Sequence, residues 1–181
     1  MATLTTAPEQ HDSNTPIRAT GRGALQAAID TVDLEHWLFT LSDKDYQAAA
    51  RGHRAAGTFV ENSVRGSVNV ESVGGHLLIQ HYLEAHAEPG HVEMLSTRSR
   101  AYLFHLIPVA IQVRWVMTAE EDDGVAYFSC VVEVRMSRFL TILGHISALP
   151  YFLRRHVIEE TIGFVKDIDG KLASANGSRA T

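Results

Sequence analysis

The sequence predicts a single α+β domain in which helices cover one face of an antiparallel sheet. Three observations support this class. Short helical patterns come first, alternating apolar residues follow from about Val64 to Met136, and a helical pattern returns after Arg138. A sheet with one apolar face needs helices to bury that face, and such an arrangement is typical of α+β domains.

The composition fits one domain without covalent cross-links. The chain has 181 residues, 45% of them hydrophobic, and its single cysteine, Cys130, excludes an internal disulfide. No signal-peptide pattern is found at the N-terminus, so we expect a cytoplasmic protein. Segments 1–22 and 173–181 are polar without periodicity and are expected to lack fixed structure, which leaves residues 23–172 as the domain.

Charge and hydropathy argue against two classes of partner. The formal net charge is −5, and no stripe of Lys and Arg alternates with aromatic residues as in nucleic-acid-binding proteins. Polar residues interrupt the apolar stretches before they reach the roughly 20 residues that span a bilayer. The sequence therefore predicts neither a nucleic-acid partner nor a membrane span.

Two short helices are predicted before the sheet. An amphipathic spacing runs from Leu34 to Leu41, and Ser42 followed by Asp45 resembles a capping box. The second helix is expected to continue through the alanines toward Gly57, because glycine often follows a helix end.

A meander of antiparallel strands follows these helices. Turns are predicted at Gly74-Gly75, Pro89-Gly90 and Asp123-Gly124. The last two strands have one apolar face, which consists of Val109, Ile111, Val113, Trp115, Met117, Phe128, Cys130, Val132, Val134 and Met136.

One histidine occupies a strand position where the alternation calls for an apolar residue. In the hairpin around Gly74-Gly75, His81 has the parity of the residues predicted to face the core. Glu71, Gln80 and Tyr82 have the opposite parity and are predicted to face solvent. His81 is then either a core histidine bonded to backbone or to Arg98, or a functional group inside the domain. The residues predicted to face the core with it are Val68, Val70, Val73, Leu77, Ile79 and Leu83.

A long helix is predicted from about Pro150 to Ile168, and it carries a second polar pair. His156 and Glu160 are one turn apart and lie on the same side of the helix. Further apolar residues flank this pair, so the helix can be covered on both sides, for example by a homodimer contact. The alternative places the pair in water, opposite an apolar stripe of Ile158, Ile162, Val165 and Ile168.

Several segments together resemble a known superfamily. They are Asp33–Phe39, Ser42–Gln47, Val70–Gly75, Gln80–Tyr82, and His156 with Glu160, Thr161 and Phe164. Across about residues 33–168, the chain resembles a group of bacterial proteins in the START-like helix-grip superfamily (SRPBCC). The resemblance implies a curved antiparallel sheet wrapped around a long C-terminal helix, with a hydrophobic cavity between them.

The resemblance also implies a class of chemistry. The superfamily includes lipid-transfer proteins, polyketide aromatases and cyclases, and a zinc-dependent carbon–carbon hydrolase of acylated phenols. The zinc site of that hydrolase uses a His and a Glu one turn apart on the terminal helix, to which His156 and Glu160 are similar, and further ligands from the sheet. His81 is the candidate sheet ligand. No motif assigns a fourth ligand, and this chain is shorter than such hydrolases.

The leading hypothesis is an enzyme that acts on a hydrophobic aromatic or polyketide-like molecule through His81, His156 and Glu160. These residues would bind zinc in a hydrolase, or act without metal as general acid and base in a cyclase or dehydratase. The residues expected to line the substrate cavity are Arg98, Trp115, Phe128 and Phe164.

Two other functions remain open at this point. One is a non-catalytic carrier or sensor of a hydrophobic ligand, and the other is an NTF2-like small subunit of a dioxygenase, against which the long final helix argues. Six further histidines have no ligand spacing and are interpreted as incidental: His11, His36, His53, His76, His105 and His145.

Overall fold

The computed structural model describes residues 15–146 and 148–179, with side chains as far as Ala175. Within these residues, one strand and two α-helices come first, six consecutive strands follow, and two helices end the chain. In sequence they are β1 (Ile17–Ala24), α1 (Leu34–Thr40), α2 (Asp43–Ala49), β2 (His53–Glu61), β3 (Val64–Val73), β4 (His76–Glu88), β5 (His91–Leu103), β6 (Ile107–Asp122), β7 (Val125–Arg135), α3 (Arg138–Ile146) and α4 (Leu149–Arg179).

The strands form one antiparallel sheet in the order β1-β7-β6-β5-β4-β3-β2. Short turns connect each strand from β2 through β7 to the next, so these six strands form a meander. Strand β1 pairs with β7 at the other edge of the sheet, where Ile17 lies opposite Val134. The predicted β3–β4 turn is confirmed, and its glycines have φ values of +58° at Gly74 and +83° at Gly75. Side chains with a Cβ rarely adopt such values, which explains the glycine pair.

Helix α4 packs against β1, β3, β7 and α2. Its Phe164 is fully buried at the centre of an aromatic core. The centroid of the Phe164 ring lies 5.0 to 6.5 Å from the rings of Trp37, Tyr46, Trp115 and Phe128. Tyr46 on α2 and Trp115 on β6 therefore meet α4 at the middle of the domain.

Helix α2 begins as predicted but ends earlier. The Ser42 side chain accepts a hydrogen bond from the backbone N–H of Asp45 at 3.1 Å, as expected for an N-cap. The predicted extension to Gly57 is wrong, because residues 53–61 form the edge strand β2, in which His53 pairs with Glu71 of β3. Pairing with β3 overrides the helical preference of the alanines there.

Both expected ends of the domain also need correction. Strand β1 starts at Ile17, inside the segment 1–22 that we expected to lack structure, while residues 1–14 lie outside the described part of the chain. Helix α4 continues to Arg179, through most of the expected tail 173–181. Long-range pairing with β7 and packing on α4 stabilise β1, and neither contact is visible in the local sequence.

The predicted fold class is confirmed. The chain forms an α+β domain with a curved antiparallel sheet, a long C-terminal helix and short helices before most of the sheet. Within the described residues, no helix has the length and apolar character needed to cross a lipid bilayer.

The predicted inner face is confirmed for β6 and β7 and wrong for the β3–β4 hairpin. On β4 the buried side chains are His76, Leu78, Gln80 and Tyr82, so His81 has the outward parity. The alternation of apolar and polar residues predicts the wrong inner face here, because polar side chains face the interior while half-buried apolar residues occupy the outer face. Of the apolar hairpin residues predicted to face inward, only Val73 is buried.

Candidate functional site

Four ionisable side chains meet inside the domain beneath α4. His53 begins β2, Glu71 lies on β3, and His156 and Glu160 lie one turn apart on α4. Each is at most 8% exposed. We call these four residues the polar cluster. Burial of four ionisable groups together is costly unless they are paired or bind an ion, so the cluster is a candidate for function.

Three features of the fold bring the members of the polar cluster together. His53 and Glu71 are direct partners across β2 and β3. Helix periodicity places His156 and Glu160 on the same face of α4. Gly52 leaves room for the His156 ring, since a Cβ at position 52 would lie 2.9 Å from its Cε1 and Nδ1 atoms.

Hydrogen bonds and ion pairs orient the cluster. His156 Nε2 lies 3.1 Å from Glu71 Oε2, in an ion pair without hydrogen-bond alignment. The Tyr46 hydroxyl donates to Glu71 Oε1 at 2.7 Å, and its ring stacks on His53 at a centroid distance of 3.8 Å. His53 Nε2 lies 3.9 Å from Glu160 Oε1.

The tautomer of neutral His53 follows from its backbone contact. His53 Nδ1 lies 2.6 Å from the carbonyl oxygen of Tyr46, which can only accept, so Nδ1 carries the proton. Burial lowers the pKa of His53 and favours this neutral form. Its Nε2 lone pair is buried and has no hydrogen-bond partner among the described residues. An accepting nitrogen left in this state can bind a metal ion or take a proton.

The remaining charges balance one another. Burial lowers the pKa of His156, but the carboxyl groups of Glu71 and Glu160 outweigh it and raise the pKa to about 9. Burial raises the pKa of Glu71, yet contacts with His156, His53 and Tyr46 bring it below its ordinary value. Burial and the charge of Glu71 together raise the pKa of Glu160. These shifts favour a charged pair of His156 and Glu71, the neutral form of His53 and the protonated form of Glu160.

Three members of the cluster have the arrangement of metal ligands. One ligand atom each from His53, His156 and Glu160 lies within 4.8 Å of the other two. Two imidazoles and a carboxylate are donors that zinc accepts, and the unpartnered Nε2 of His53 has a lone pair available. The donor set therefore fits a zinc ion.

Two adjoining cavities lie between the sheet and the helices. The smaller one, about 10 Å³, touches Glu71, His156 and Glu160 and has room for about one water molecule. The larger one, about 90 Å³, is lined almost wholly by apolar side chains and reaches α3. Three side chains border both cavities: Leu78, Val134 and Leu153.

The structure brings together some of the predicted site residues and separates others. His156 and Glu160 are buried in the cluster, which resolves the two sequence interpretations of α4 in favour of burial. Trp115 lines the smaller cavity. Phe128 and Phe164 are fully buried in the aromatic core behind it.

His81 and Arg98 do not reach the cluster. The His81 ring packs against Phe59 at a centroid distance of 4.7 Å on the outer face of the sheet. The Arg98 side chain is 65% exposed and lies 3.5 Å from Glu61. Placing these two residues in the cavity was wrong, because the inner parity of the hairpin was assigned from its apolar residues.

Sequence reasoning missed His53 and Glu71. His53 was interpreted as incidental because it has no ligand spacing in the sequence. Its segment was assigned to a helix, so its pairing with β3 could not be anticipated. Glu71, Gln80 and Tyr82 were assigned to the solvent face, yet all three line the smaller cavity. The alternation of Ser67, Asn69 and Glu71 along β3 with Gln80 and Tyr82 on β4 was the available signal of a polar interior.

Comparison with known proteins identifies the fold. No protein-family model matches the sequence, and no curated protein matches it significantly. A solved structure from Thermus thermophilus is similar with a TM-score of 0.63 and 7% identity, covering 87% of this chain and 98% of that one. A START superfamily protein from Mycobacterium smegmatis is similar with a TM-score of 0.51 and 9% identity, covering 87% and 98%.

An enzyme structure is also among the similar ones. The two-domain aromatase/cyclase StfQ of the steffimycin biosynthetic pathway matches with a TM-score of 0.56 and 10% identity, covering 88% of this chain. The chain spans 53% of StfQ. At such identities the likeness is one of fold. The chain has the START-like helix-grip fold.

Proposed function

We propose that the protein is a zinc-dependent enzyme that hydrolyses a hydrophobic aromatic or polyketide-like molecule under α4. The observation that carries this proposal is the convergence of His53, His156 and Glu160 with an unpartnered, buried His53 Nε2. A histidine held only for packing would normally have both ring nitrogens satisfied. His53 replaces His81 in the ligand set predicted from sequence.

The residues present would hold a zinc ion with three protein ligands. Such a set leaves a coordination position open for water or substrate, as catalytic zinc sites do. Zinc bound there would polarise a carbonyl oxygen and make water more acidic. The smaller cavity supports this arrangement, since it adjoins two of the three ligands, His156 and Glu160, and has room for about one water molecule.

Glu71 would accept the proton of the attacking water, and Tyr46 would orient Glu71. Glu71 lies beside the ligand set, with its Oε2 3.1 Å from His156 Nε2, and its carboxylate would accept a proton from water there. Tyr46 donates to the other oxygen of Glu71 and so fixes its orientation. In the proposed hydrolysis of an aryl ketone, the hydroxide of water joins the acyl carbon. The proton joins the ring carbon, and the bond between these carbons breaks.

The larger cavity supports a hydrophobic substrate. Its lining is apolar at every side chain except His76. Because Leu78, Val134 and Leu153 border both cavities, a molecule seated in the larger one would present one end to the polar cluster. The cyclase StfQ shares the fold, which agrees with an aromatic or polyketide-like substrate.

A metal-independent cyclase or dehydratase is the second candidate. The 3.1 Å ion pair between His156 and Glu71 favours it, because this pair leaves the cluster electrically balanced without an ion. His53 would then act as general base and Glu160 as general acid. A carrier that only binds the hydrophobic molecule is the remaining alternative.

Metal analysis distinguishes these candidates. Tag-free protein purified without added metal is analysed by mass spectrometry, together with His156→Ala and Glu160→Gln. We expect near-stoichiometric zinc in the wild type and its loss in both variants. Glu159→Gln is the matched control, because Glu159 is the neighbouring residue on α4 and pairs with Arg51 outside the cluster. Wild-type protein that stays free of metal after zinc loading would contradict the proposal.

Turnover separates the enzyme from the carrier. A panel of acylated phenols and related aryl ketones is assayed for release of the carboxylic acid. The proposal predicts that His156→Ala abolishes turnover of any substrate found. A carrier would show no turnover, and His156→Ala would reduce only its affinity for the ligand.

A further inference from the structure

One polar side chain faces an otherwise apolar cavity at some distance from the polar cluster. His76 is 6% exposed and lines the larger cavity. Of the described residues around that cavity, it is the only one with a polar side chain. The others are Val73, Leu78, Ala101, Leu103, Phe104, Val109, Ile111, Val134, Met136, Leu140, Leu143, Gly144, Leu149 and Leu153.

A backbone contact fixes the hydrogen on this ring. The backbone N–H of Phe104 donates to His76 Nδ1 at 3.1 Å. A neutral imidazole that accepts at Nδ1 carries its proton at Nε2, so His76 offers one N–H donor. Within the described part of the chain, no protein group accepts from this Nε2–H. Burial lowers the pKa of His76, which favours the neutral ring.

The Nε2–H of this ring is therefore free to donate to a molecule that occupies the larger cavity. We infer that His76 donates its Nε2–H to an acceptor oxygen of the bound hydrophobic molecule, and that it selects molecules with such an oxygen. This inference rests on the proposed function, because it concerns the same cavity. It adds a specificity-determining residue and a second polar group on the substrate.

His76 and the polar cluster adjoin different cavities that share one wall. His76 lines the larger cavity, whereas Glu71, His156 and Glu160 line the smaller one. Leu78, two residues after His76 on β4, borders both cavities and pairs with Glu71. A molecule that extends through both cavities would therefore meet a polar group at each end. The substrate class is an aromatic molecule with oxygen functions at both ends.

Two probes of nearly equal shape test the role of His76. Acetophenone has a carbonyl oxygen where α-methylstyrene has a methylene group, so only acetophenone can accept a hydrogen bond. The dissociation constants of both are measured for the wild type and for His76→Phe, with and without a chelator. Because a hydrogen bond contributes about 2- to 10-fold in affinity, the preference for acetophenone should fall by that factor in His76→Phe. The carbonyl stretch of bound acetophenone should move to higher wavenumber in the same variant.

Two further variants separate the hydrogen bond from the fold. His76→Gln retains an acceptor for Phe104 and a donor for the ligand, so it should keep part of the preference. His81→Phe changes a histidine on the outer face of the same strand and should leave the preference unchanged. An equal preference in wild type and His76→Phe would overturn the inference while leaving the zinc site untouched. Failure of either probe to bind any form would overturn both the inference and the proposed cavity.

Discussion

Replacing Gly52 by alanine tests the position of His156 directly. The added Cβ would lie 2.9 Å from the His156 ring and 2.8 Å from the carbonyl oxygen of Ser72, whereas ordinary contacts begin near 3.4 Å. The backbone cannot easily yield, because Ser72 N–H donates to the Gly52 carbonyl at 2.8 Å. Such overpacking typically costs about 1–3 kcal/mol.

The expected result of Gly52→Ala has two parts. In chelator-treated protein, the free energy of unfolding measured in urea should fall by about 1–3 kcal/mol. Each kcal/mol corresponds to a thermal midpoint that is lower by roughly 2–4 °C. Zinc affinity should fall as well, since the His156 ring must move. Unchanged stability and unchanged zinc affinity would refute the contact between Gly52 and His156.

Gly57→Ala, five residues further along the chain in β2, is the matched control. A Cβ at position 57 meets no atom within 4 Å, and Gly57 does not have a positive φ. The substitution is therefore expected to change the free energy of unfolding by no more than about 0.5 kcal/mol. A large loss in this control would indicate that replacing glycine by alanine is itself unfavourable in this segment, and would contradict the assignment of the Gly52 result to His156.

Three further predictions concern the cluster and the cavity. Tyr46→Phe removes the donor to Glu71 and should lower the free energy of unfolding by about 1.5–3 kcal/mol; equal urea midpoints would contradict this. Leu153→Ala, in the wall shared by the cavities, should cost about 2–5 kcal/mol in the same assay, and a loss below about 1 kcal/mol would argue against tight packing there. His76 has a pKa below its ordinary 6.5 because of burial and of nearby His105, so the unfolded chain binds its proton first. The free energy of unfolding of the wild type relative to that of His76→Phe should therefore fall as pH drops from about 7 to 5; parallel curves for the two proteins would refute the assignment.

The parts of the fold that were predictable from sequence depend on local chemistry. The turn at Gly74-Gly75 and the cap at Ser42 were predictable because positive φ angles and unpaired helix N–H groups favour particular residues. The faces of β6 and β7 were predictable because one side of each is continuously apolar. The pair His156 and Glu160 was found because their spacing equals one helical turn.

The missed parts depend on contacts between distant segments. His53 follows an alanine-rich helix, and only its pairing with Glu71 on β3 places it in a strand. The β3–β4 hairpin has apolar residues on both faces, so the alternation could not distinguish the polar interior from the outer surface. His81 was chosen in place of His53 for this reason. Around a polar cavity the polar residues of a strand face inward, which reverses the pattern from which the inner face of a strand is normally assigned.

Zinc titration of His53→Ala and His81→Ala most directly tests the central claim that His53 completes the site under α4. Both variants remove one imidazole, but His53 lies 3.9 Å from Glu160 inside the cluster, whereas His81 packs against Phe59 outside it. Circular dichroism of each variant checks that it keeps the wild-type fold. We predict that zinc binds the wild type and His81→Ala with equal stoichiometry and affinity. His53→Ala should lose at least about 10-fold in zinc affinity, because removing even a residue that supports a metal ligand typically costs about 10- to 100-fold. Retention of wild-type zinc affinity in His53→Ala, or its loss in His81→Ala, would contradict the account.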